Sequence, residues 1–247
     1  MQLALLSLLL VTIALLVMRA VTRERREYGQ FKRLRSSPAR QKIYAKWLRE
    51  SFFTFGGLAA AILLAAWPYV SKALADATGR QPLAWLNDWF ATDLGHGVAI
   101  GLLVAFVIGL LLPAVLLRGH EDEIPTVGDV AALLPRTRAE IKYGFGLGLN
   151  AGVVEELLFR FALPALIFGI VGNGIIAFGA AAVLFGLLHA YQGWVGVVSS
   201  LVLGLVFTLI YLLSGSILLA IAIHAAFDLR SLVLIPVAVQ KVYRVRE

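Results

Sequence analysis

Seven long apolar stretches constrain the fold of this sequence more than any other feature. An α-helix rises 1.5 Å per residue, so about 20 apolar residues cover the ~30 Å hydrocarbon core of a bilayer. Hydrophobic residues make up 60% of the chain and charged residues 15%, whereas soluble domains average about 45–50% and about 25%. The sequence therefore predicts an all-α, polytopic membrane bundle of about seven or eight transmembrane helices. The stretches are Gln2–Met18, Phe52–Val70, Gly95–Leu117, Ile141–Pro164, Gly174–Ala190, Trp194–Leu213 and Ser216–Val237.

The number of spans depends on one further apolar segment, Phe161–Gly172. We expect this segment to lengthen the fifth span or to form a partial eighth one. The chain divides into three parts on this interpretation. Residues 1–50 hold the first helix and a basic juxtamembrane segment, residues 51–140 hold two helices and their loops, and residues 141–240 form the functional core.

Half of the basic residues, 11 of 22, lie between Arg19 and Arg49. Basic residues beside a membrane span concentrate on the cytoplasmic side, so we expect this segment and the C-terminal tail inside and the N-terminus outside. Because the charge is local to the membrane surface, the net charge of +7 indicates anionic lipid as a partner and not nucleic acid. A partner-docking surface is the less favoured alternative. Richness in Ala, Leu, Val and Arg is typical of a bacterial inner-membrane protein.

The ionisable residues after Tyr143 point to function. A charge held at the middle of a bilayer costs about 2.5–3.5 kcal/mol, and such residues usually mark a functional site. Several in neighbouring spans are retained at a total cost on the order of 10 kcal/mol. Before Gln240 they are Glu155, Glu156, Arg160, His189, His224, Asp228 and Arg230.

Helical spacing assigns provisional roles to five of these residues. Glu156 and Arg160 are four apart and share a helix face, so they are expected to form a structural ion pair. Glu155 lies about 100° around the helix and is left as the working carboxylate. His224 and Asp228 are also four apart, so Asp228 is expected to orient the imidazole, as supporting carboxylates do for catalytic or metal-bound histidines.

Two hydrolytic chemistries fit one carboxylate and two imidazoles on separate helices. Glu155, His189 and His224 are a possible zinc site with an open position for water. Alternatively, Glu155 and His189 activate water directly while His224 and Asp228 stabilise the developing oxyanion. The chain has no cysteine, and neither H-E-x-x-H nor G-x-S-x-G occurs, which excludes thiol nucleophiles and argues against zincins and nucleophile-elbow serine hydrolases.

Three motifs in this order resemble the signature of the CAAX prenyl protease type II family, also called the CPBP or Abi family, of intramembrane proteases. The eukaryotic Ras-converting endopeptidase is a member. The resemblance covers about Val153 to Arg230. The motifs are Glu155-Glu156-x-x-x-Arg160, Phe185-x-x-x-His189 and His224-x-x-x-Asp228.

The resemblance implies a membrane endopeptidase whose catalytic cavity opens towards the cytosol and whose substrate is a protein or lipidated peptide in the membrane. It makes Glu155 and His189 the water-activating pair, and it gives Glu156, Arg160 and Phe185 supporting roles. His224 and Asp228 are then left for oxyanion stabilisation or metal binding. The chain departs from many members, which carry Gly at the position of Phe161 and Asn at the position of Asp228.

Two other functions remain open on the sequence. A non-proteolytic bacteriocin-immunity or scaffold protein would keep the same polar residues as structure. A small transporter or proton relay also uses intramembrane Glu and His residues, but the sequence shows no inverted repeat of the kind that transporters carry.

Overall fold

The structure is a computed structural model that describes residues 2–117 and 126–245, with the side chains of 22–25 left out. All regular secondary structure in these ranges is helical, as predicted. The first helices are α1 (Gln2–Met18), α2 (Arg25–Phe31), α3 (Ser37–Ser51), α4 (Gly57–Ala66), α5 (Val70–Thr78), α6 (Leu83–Phe90) and α7 (Asp93–Leu116). The remaining helices are α8 (Arg138–Glu156), α9 (Leu163–Val171), α10 (Gly174–Leu188), α11 (Gly193–Ser214), α12 (Ile217–Leu229) and α13 (Ile235–Ala238).

Five helical runs in the described residues are long and apolar enough to cross a membrane. The predicted stretch Ile141–Pro164 is not among them, because Glu155, Glu156 and Arg160 interrupt its apolar character. The total of seven or eight spans therefore stays a prediction, while a membrane protein built from helices is confirmed. The five runs are Gln2–Phe31, Ser37–Thr78, Asp93–Leu116, Gly174–Ser214 and Ile217–Ala238.

The segment Phe161–Gly172 continues the fourth predicted helix and does not lengthen the fifth. A π-helical stretch, Leu157–Ala162, joins α8 to α9, so the chain is helical from 138 to 171. Proline cannot donate a backbone hydrogen bond and clashes with the carbonyl four residues earlier. The wider π-helical stretch just before Pro164 accommodates it. The helix ends at Gly172, whose φ of +66° is left-handed.

A stripe of glycines brings α12 close to α8. Gly144, Gly148 and Gly152 are four residues apart on α8, and α12 and the chain following it pack on this face. A Cβ atom at Gly152 would lie 2.7 Å from the Cβ of Ala225. Small residues permit such close approach between membrane helices. This contact places the α12 residues of the third motif beside the first motif.

The basic juxtamembrane segment packs against the protein along one face. Its aromatic side chains Tyr28, Phe31 and Tyr44 are buried and contact the region around Tyr143. Tyr44 is buried because α3 packs on α8, and Phe31 of α2 packs edge-on against the Tyr44 ring. The opposite side keeps exposed basic residues, so binding to anionic lipid stays a prediction. The exposed set includes Arg26, Lys32, Arg33, Arg35, Lys42 and Arg49.

Candidate active site

A fully buried ion pair lies at the centre of the three motifs. Arg160 Nη1 lies 3.0 Å from Glu156 Oε1, which confirms the pair predicted from their spacing. Arg160 Nη2 also donates a hydrogen bond to the carbonyl of Gly204 (3.2 Å). The guanidinium lies 4.3 Å from the centre of the Phe185 ring and 5.6 Å from that of Phe207. The arginine is therefore enclosed by one carboxylate, one carbonyl and two aromatic faces.

His224 is oriented by Glu156, and the expectation that Asp228 would do this is wrong. The imidazole Nδ1 donates to Glu156 Oε1 at 2.7 Å. Asp228 Oδ2 lies 3.7 Å from Nε2 on the other side of the ring, too far for a hydrogen bond but close enough for charge attraction. The imidazole also stacks on Phe207, with ring centres 4.6 Å apart. Glu156 thus carries two roles, because Oε1 contacts both Arg160 and His224.

His189 lies at the C-terminal end of α10, in the short turn His189–Gln192. Its Nδ1 lies 2.8 Å from the carbonyl oxygen of Phe185. A carbonyl oxygen only accepts hydrogen bonds, so Nδ1 carries the proton and a neutral ring leaves the Nε2 lone pair available. The Phe185 ring also contacts the His189 ring at 4.7 Å. Phe185 therefore supports the second motif through both its backbone and its side chain.

Glu155 and His189 each interact with His224. Glu155 interacts electrostatically with His224 and Asp228, and His189 interacts with His224 and Arg160. Glu155 lies before Gly172, and His189 lies after it by the same number of residues. The two helices that meet at this turn pack on each other. Glu155 of the first motif and His189 of the second therefore lie at a similar distance from the turn at Gly172.

The exposure of the six ionisable motif residues divides them into two groups. Glu156, Arg160 and His224 are buried, whereas Glu155, His189 and Asp228 are partly exposed. Glu156 and Arg160 are completely enclosed and can only hold the site in shape, whereas His224 keeps 4% exposure at the edge of the site. The partly exposed group can contact water and a polypeptide. This arrangement is suited to proton transfer at an accessible surface supported by a fixed charged core.

The described residues do not fit the predicted zinc site. Within 2–117 and 126–245, no three His, Asp or Glu side chains are arranged to hold a metal ion. The Nδ1 atoms of His189 and His224 are bonded to Phe185 and Glu156 respectively, so only the two Nε2 atoms remain as imidazole donors. Binding of zinc by Glu155, His189 and His224 therefore stays a prediction.

Two supporting residues escaped the motif analysis. Gly204 and Phe207 lie on α11, inside an apolar stretch without ionisable residues, and both contact Arg160. A Cβ atom at Gly204 would lie 2.9 Å from the Phe185 ring and 3.3 Å from Arg160 Nη2. Nothing in the local sequence marks these positions, because their partners lie on other helices.

Comparison with known proteins identifies the region that carries the site. Residues 138–230 match the family model for type II CAAX prenyl endopeptidase Rce1-like proteins. No curated protein and no solved structure matched the chain. The matched region begins with α8, ends one residue after α12 and contains all three motifs. Through this segment, the chain is similar to the type II CAAX prenyl endopeptidase Rce1-like family.

Proposed function

We propose that this protein is an intramembrane endopeptidase that hydrolyses a peptide bond in a membrane-associated protein. The match of residues 138–230 to the family model supports CAAX-protease-type proteolysis at the level of the family. The observation that carries the proposal is the group of partly exposed Glu155, His189 and Asp228 around His224, whose imidazole is fixed by a buried carboxylate. A purely structural polar core would have no need to expose three of its ionisable groups.

Glu155 and His189 activate the water molecule in this proposal. The carboxylate of Glu155 and Nε2 of His189 accept protons, because Nδ1 of His189 is already bonded to the Phe185 carbonyl. Water transfers a proton to this pair, and its oxygen attacks the carbonyl carbon of the scissile bond. The C–N bond then breaks, and the same proton passes to the leaving amine.

His224 stabilises the oxyanion of the tetrahedral intermediate. Glu156 can only accept a hydrogen bond while ionised, so Nδ1 of His224 carries a proton. Donation from Nε2 to an oxyanion requires the second proton, and therefore the imidazolium form. Asp228 and Glu156 lie on opposite sides of the ring and supply counter-charges for that form. This role accounts for Asp228 at a position where many family members carry Asn.

The exposed basic residues of 19–49 support one orientation of the protein in the membrane. We propose that they lie on the cytoplasmic side against anionic lipid, with the N-terminus outside and the C-terminus inside, in a bacterial inner membrane. The substrate is then a membrane protein or lipidated peptide that reaches the site from that side. Fusing a reporter that is active only in the cytoplasm to Glu247 tests the orientation.

The decisive experiment compares new protein termini in membranes from cells that express the wild type or Glu155→Gln at equal levels. Replacing the carboxylate by an amide of the same shape removes the proton acceptor, and loss of a general base slows such reactions by about 10²–10⁴-fold. We expect the termini to appear with the wild type and to vanish with Glu155→Gln. Asp88→Asn makes the same chemical change at an exposed position of α6 and serves as the matched control.

Two outcomes would overturn or revise the proposal. Equal sets of termini from folded wild type and Glu155→Gln would reject proteolysis and leave the immunity or scaffold function. Once a substrate is identified, the rate of the purified enzyme with a chelator should stay within about twofold of the rate without it. The reason is that only Glu155 and His189 are needed to activate the water. Loss of activity that zinc restores would instead transfer water activation to a metal.

A further inference from the structure

Residues outside the three motifs hold the turn that carries His189. This residue begins the turn His189–Gln192 between α10 and α11, so regular helix geometry does not fix its ring. Two aromatic rings contact the imidazole. Phe185 lies 4.7 Å away, and Tyr191 lies 6.1 Å away with its ring tilted by only 29° from the imidazole plane.

Tyr191 is in turn held by the N-terminal part of the chain. Tyr28 on α2 packs edge-on against the Tyr191 ring, with ring centres 5.5 Å apart and planes at 72°. Tyr28 is only 3% exposed. Gln192 Nε2 also donates to the hydroxyl of Tyr191 at 2.9 Å. The order of contacts is therefore Tyr28, Tyr191 and His189.

A second tether joins the same two parts of the molecule. The ammonium of Lys32 lies 5.3 Å from the centre of the Tyr28 ring and pairs with Asp129. The backbone N–H of Asp129 donates to the carbonyl of Gln192 at 2.9 Å. Both tethers converge on the turn that holds His189, and both begin on or next to α2.

We propose that Tyr191 and Tyr28 are positioning residues for His189, so that docking of the N-terminal basic segment completes the active site. The proposal rests on the proposed function for its kinetic consequences. Edge-to-face and stacked rings hold a preferred geometry and contribute about 0.5–1.5 kcal/mol per pair beyond burial. A misplacement of about 1 Å in a catalytic group can lower a rate by about 10²-fold. Tyr28 lies outside the matched family segment 138–230.

The kinetic test compares Tyr28→Leu and Tyr28→Phe on a substrate identified by the terminus experiment. Leucine keeps apolar bulk but removes the ring, so we expect kcat to fall about 10- to 100-fold with little change in KM. The acid limb of the pH–rate profile should also move, because the surroundings of His189 change. Phenylalanine keeps the ring and should restore wild-type kcat. Tyr191→Leu and Tyr191→Phe should behave in the same way.

A chemical test needs no catalytic activity. Diethylpyrocarbonate modifies the unprotonated imidazole nitrogen, and its rate at His189 can be measured by mass spectrometry of the intact protein in membranes. His96 on α7 is exposed and provides an internal reference. We expect Tyr28→Leu to raise modification of His189 severalfold relative to His96, and Tyr28→Phe to leave it unchanged.

Tyr211 provides the matched control. It has the same 3% exposure as Tyr28, but it packs against Phe161 and Phe178. Tyr211→Leu should change neither kcat nor the modification of His189. Equal effects of Tyr28→Leu and Tyr211→Leu, or an unchanged His189 rate in Tyr28→Leu, would overturn the proposal. If the wild type cleaves nothing, the proposed function fails, and the modification rates still decide whether Tyr28 positions His189.

Discussion

Two arginines, Arg40 and Arg160, are completely buried beside a glutamate, and the two pairs differ in how many of their polar atoms are bonded. Arg40 Nε contacts both carboxylate oxygens of Glu140 at 3.1 Å. Its Nη2 donates to the Tyr44 hydroxyl and to the carbonyls of Ala132 and Leu134. Among the residues described, only Nη1 of that side chain is without a hydrogen-bond partner.

The Arg160 pair is much less completely bonded. Within 2–117 and 126–245, Arg160 Nε, Arg160 Nη1 and Glu156 Oε2 have no hydrogen-bond partner, although Nη1 keeps the ion pair with Oε1. A buried polar group without a partner costs about 1–3 kcal/mol. The more complete bonding of Arg40 suits it to hold the basic segment in one position. The shared, incompletely bonded Glu156 is suited to a site whose charge changes during reaction.

The largest expected effect is on the free energy of unfolding, and it comes from breaking the Arg40–Glu140 pair. Arg40→Met keeps much of the side-chain volume but leaves Glu140 buried without its counter-charge, and breaking a buried pair in this way costs about 3–5 kcal/mol. We expect a loss of that size in the free energy of unfolding in detergent. Arg33→Met, an exposed change on the same segment, should alter it by less than about 0.5 kcal/mol.

A second variant separates the effect of the unpaired charge from the effect of lost packing. Adding Glu140→Gln to Arg40→Met removes the unpaired charge, so at least half of the lost stability should return. A double variant as unstable as Arg40→Met alone would show that packing, and not charge, makes the Arg40 site important.

The difference between the pairs also shows where sequence reasoning works. Glu156 and Arg160 are four apart on one helix, so their pairing could be predicted from helix geometry alone. The bond from His224 to Glu156 spans 68 residues and that from Arg40 to Glu140 spans 100. Such contacts depend on which helices pack together, and helical periodicity in an almost uniformly apolar chain does not encode this.

The same limit explains the errors in the helices. The fourth span was predicted to end at Pro164, and proline usually breaks a helix. The π-helical stretch Leu157–Ala162 absorbs the proline instead, and no sequence rule identifies that stretch. The burial of the aromatic residues in the basic segment could not be predicted, because a partner such as Tyr143 lies about 100 residues away. The three motifs, by contrast, depend on local spacing, and all three lie within residues 138–230, which match the family model.

A smaller effect should follow from changing Glu156, and it should appear mainly in the rate. Glu156→Gln keeps the size of the side chain but removes the charge that supports the imidazolium of His224. Changes to a partner that orients a functional histidine typically lower activity about 10- to 100-fold. Because Glu155 also interacts with Arg160, the loss of stability should be smaller than for Arg40→Met. Single-turnover rates at saturating substrate measure the effect.

Glu156→Asp serves as the charge-keeping control. It shortens the side chain by one methylene but retains a carboxylate, so its rate should lie between those of Glu156→Gln and the wild type. If Glu156→Gln cleaves at the wild-type rate, the charge of Glu156 has no role in the reaction, and both buried ion pairs are structural.

The smallest expected effect tests the helix contact that brings His224 to Glu156. A Cβ at Gly152 would lie 2.7 Å from Ala225 Cβ and 2.8 Å from Ala225 N, so Gly152→Ala must displace α12 from α8. Overpacking of this kind should cost about 1–2 kcal/mol of unfolding free energy. The displacement should also lower the cleavage rate, because Glu156 and His224 lie on these two helices.

Gly109→Ala on α7 separates that contact from the general effect of alanine in a helix. No atom lies within 4 Å of a Cβ at Gly109, and alanine favours a helix by up to about 1 kcal/mol over glycine. Gly109→Ala should therefore keep or raise stability, with an unchanged rate. A Gly152→Ala protein that loses stability but keeps its rate would show that close packing of α12 on α8 at Gly152 is not needed for cleavage.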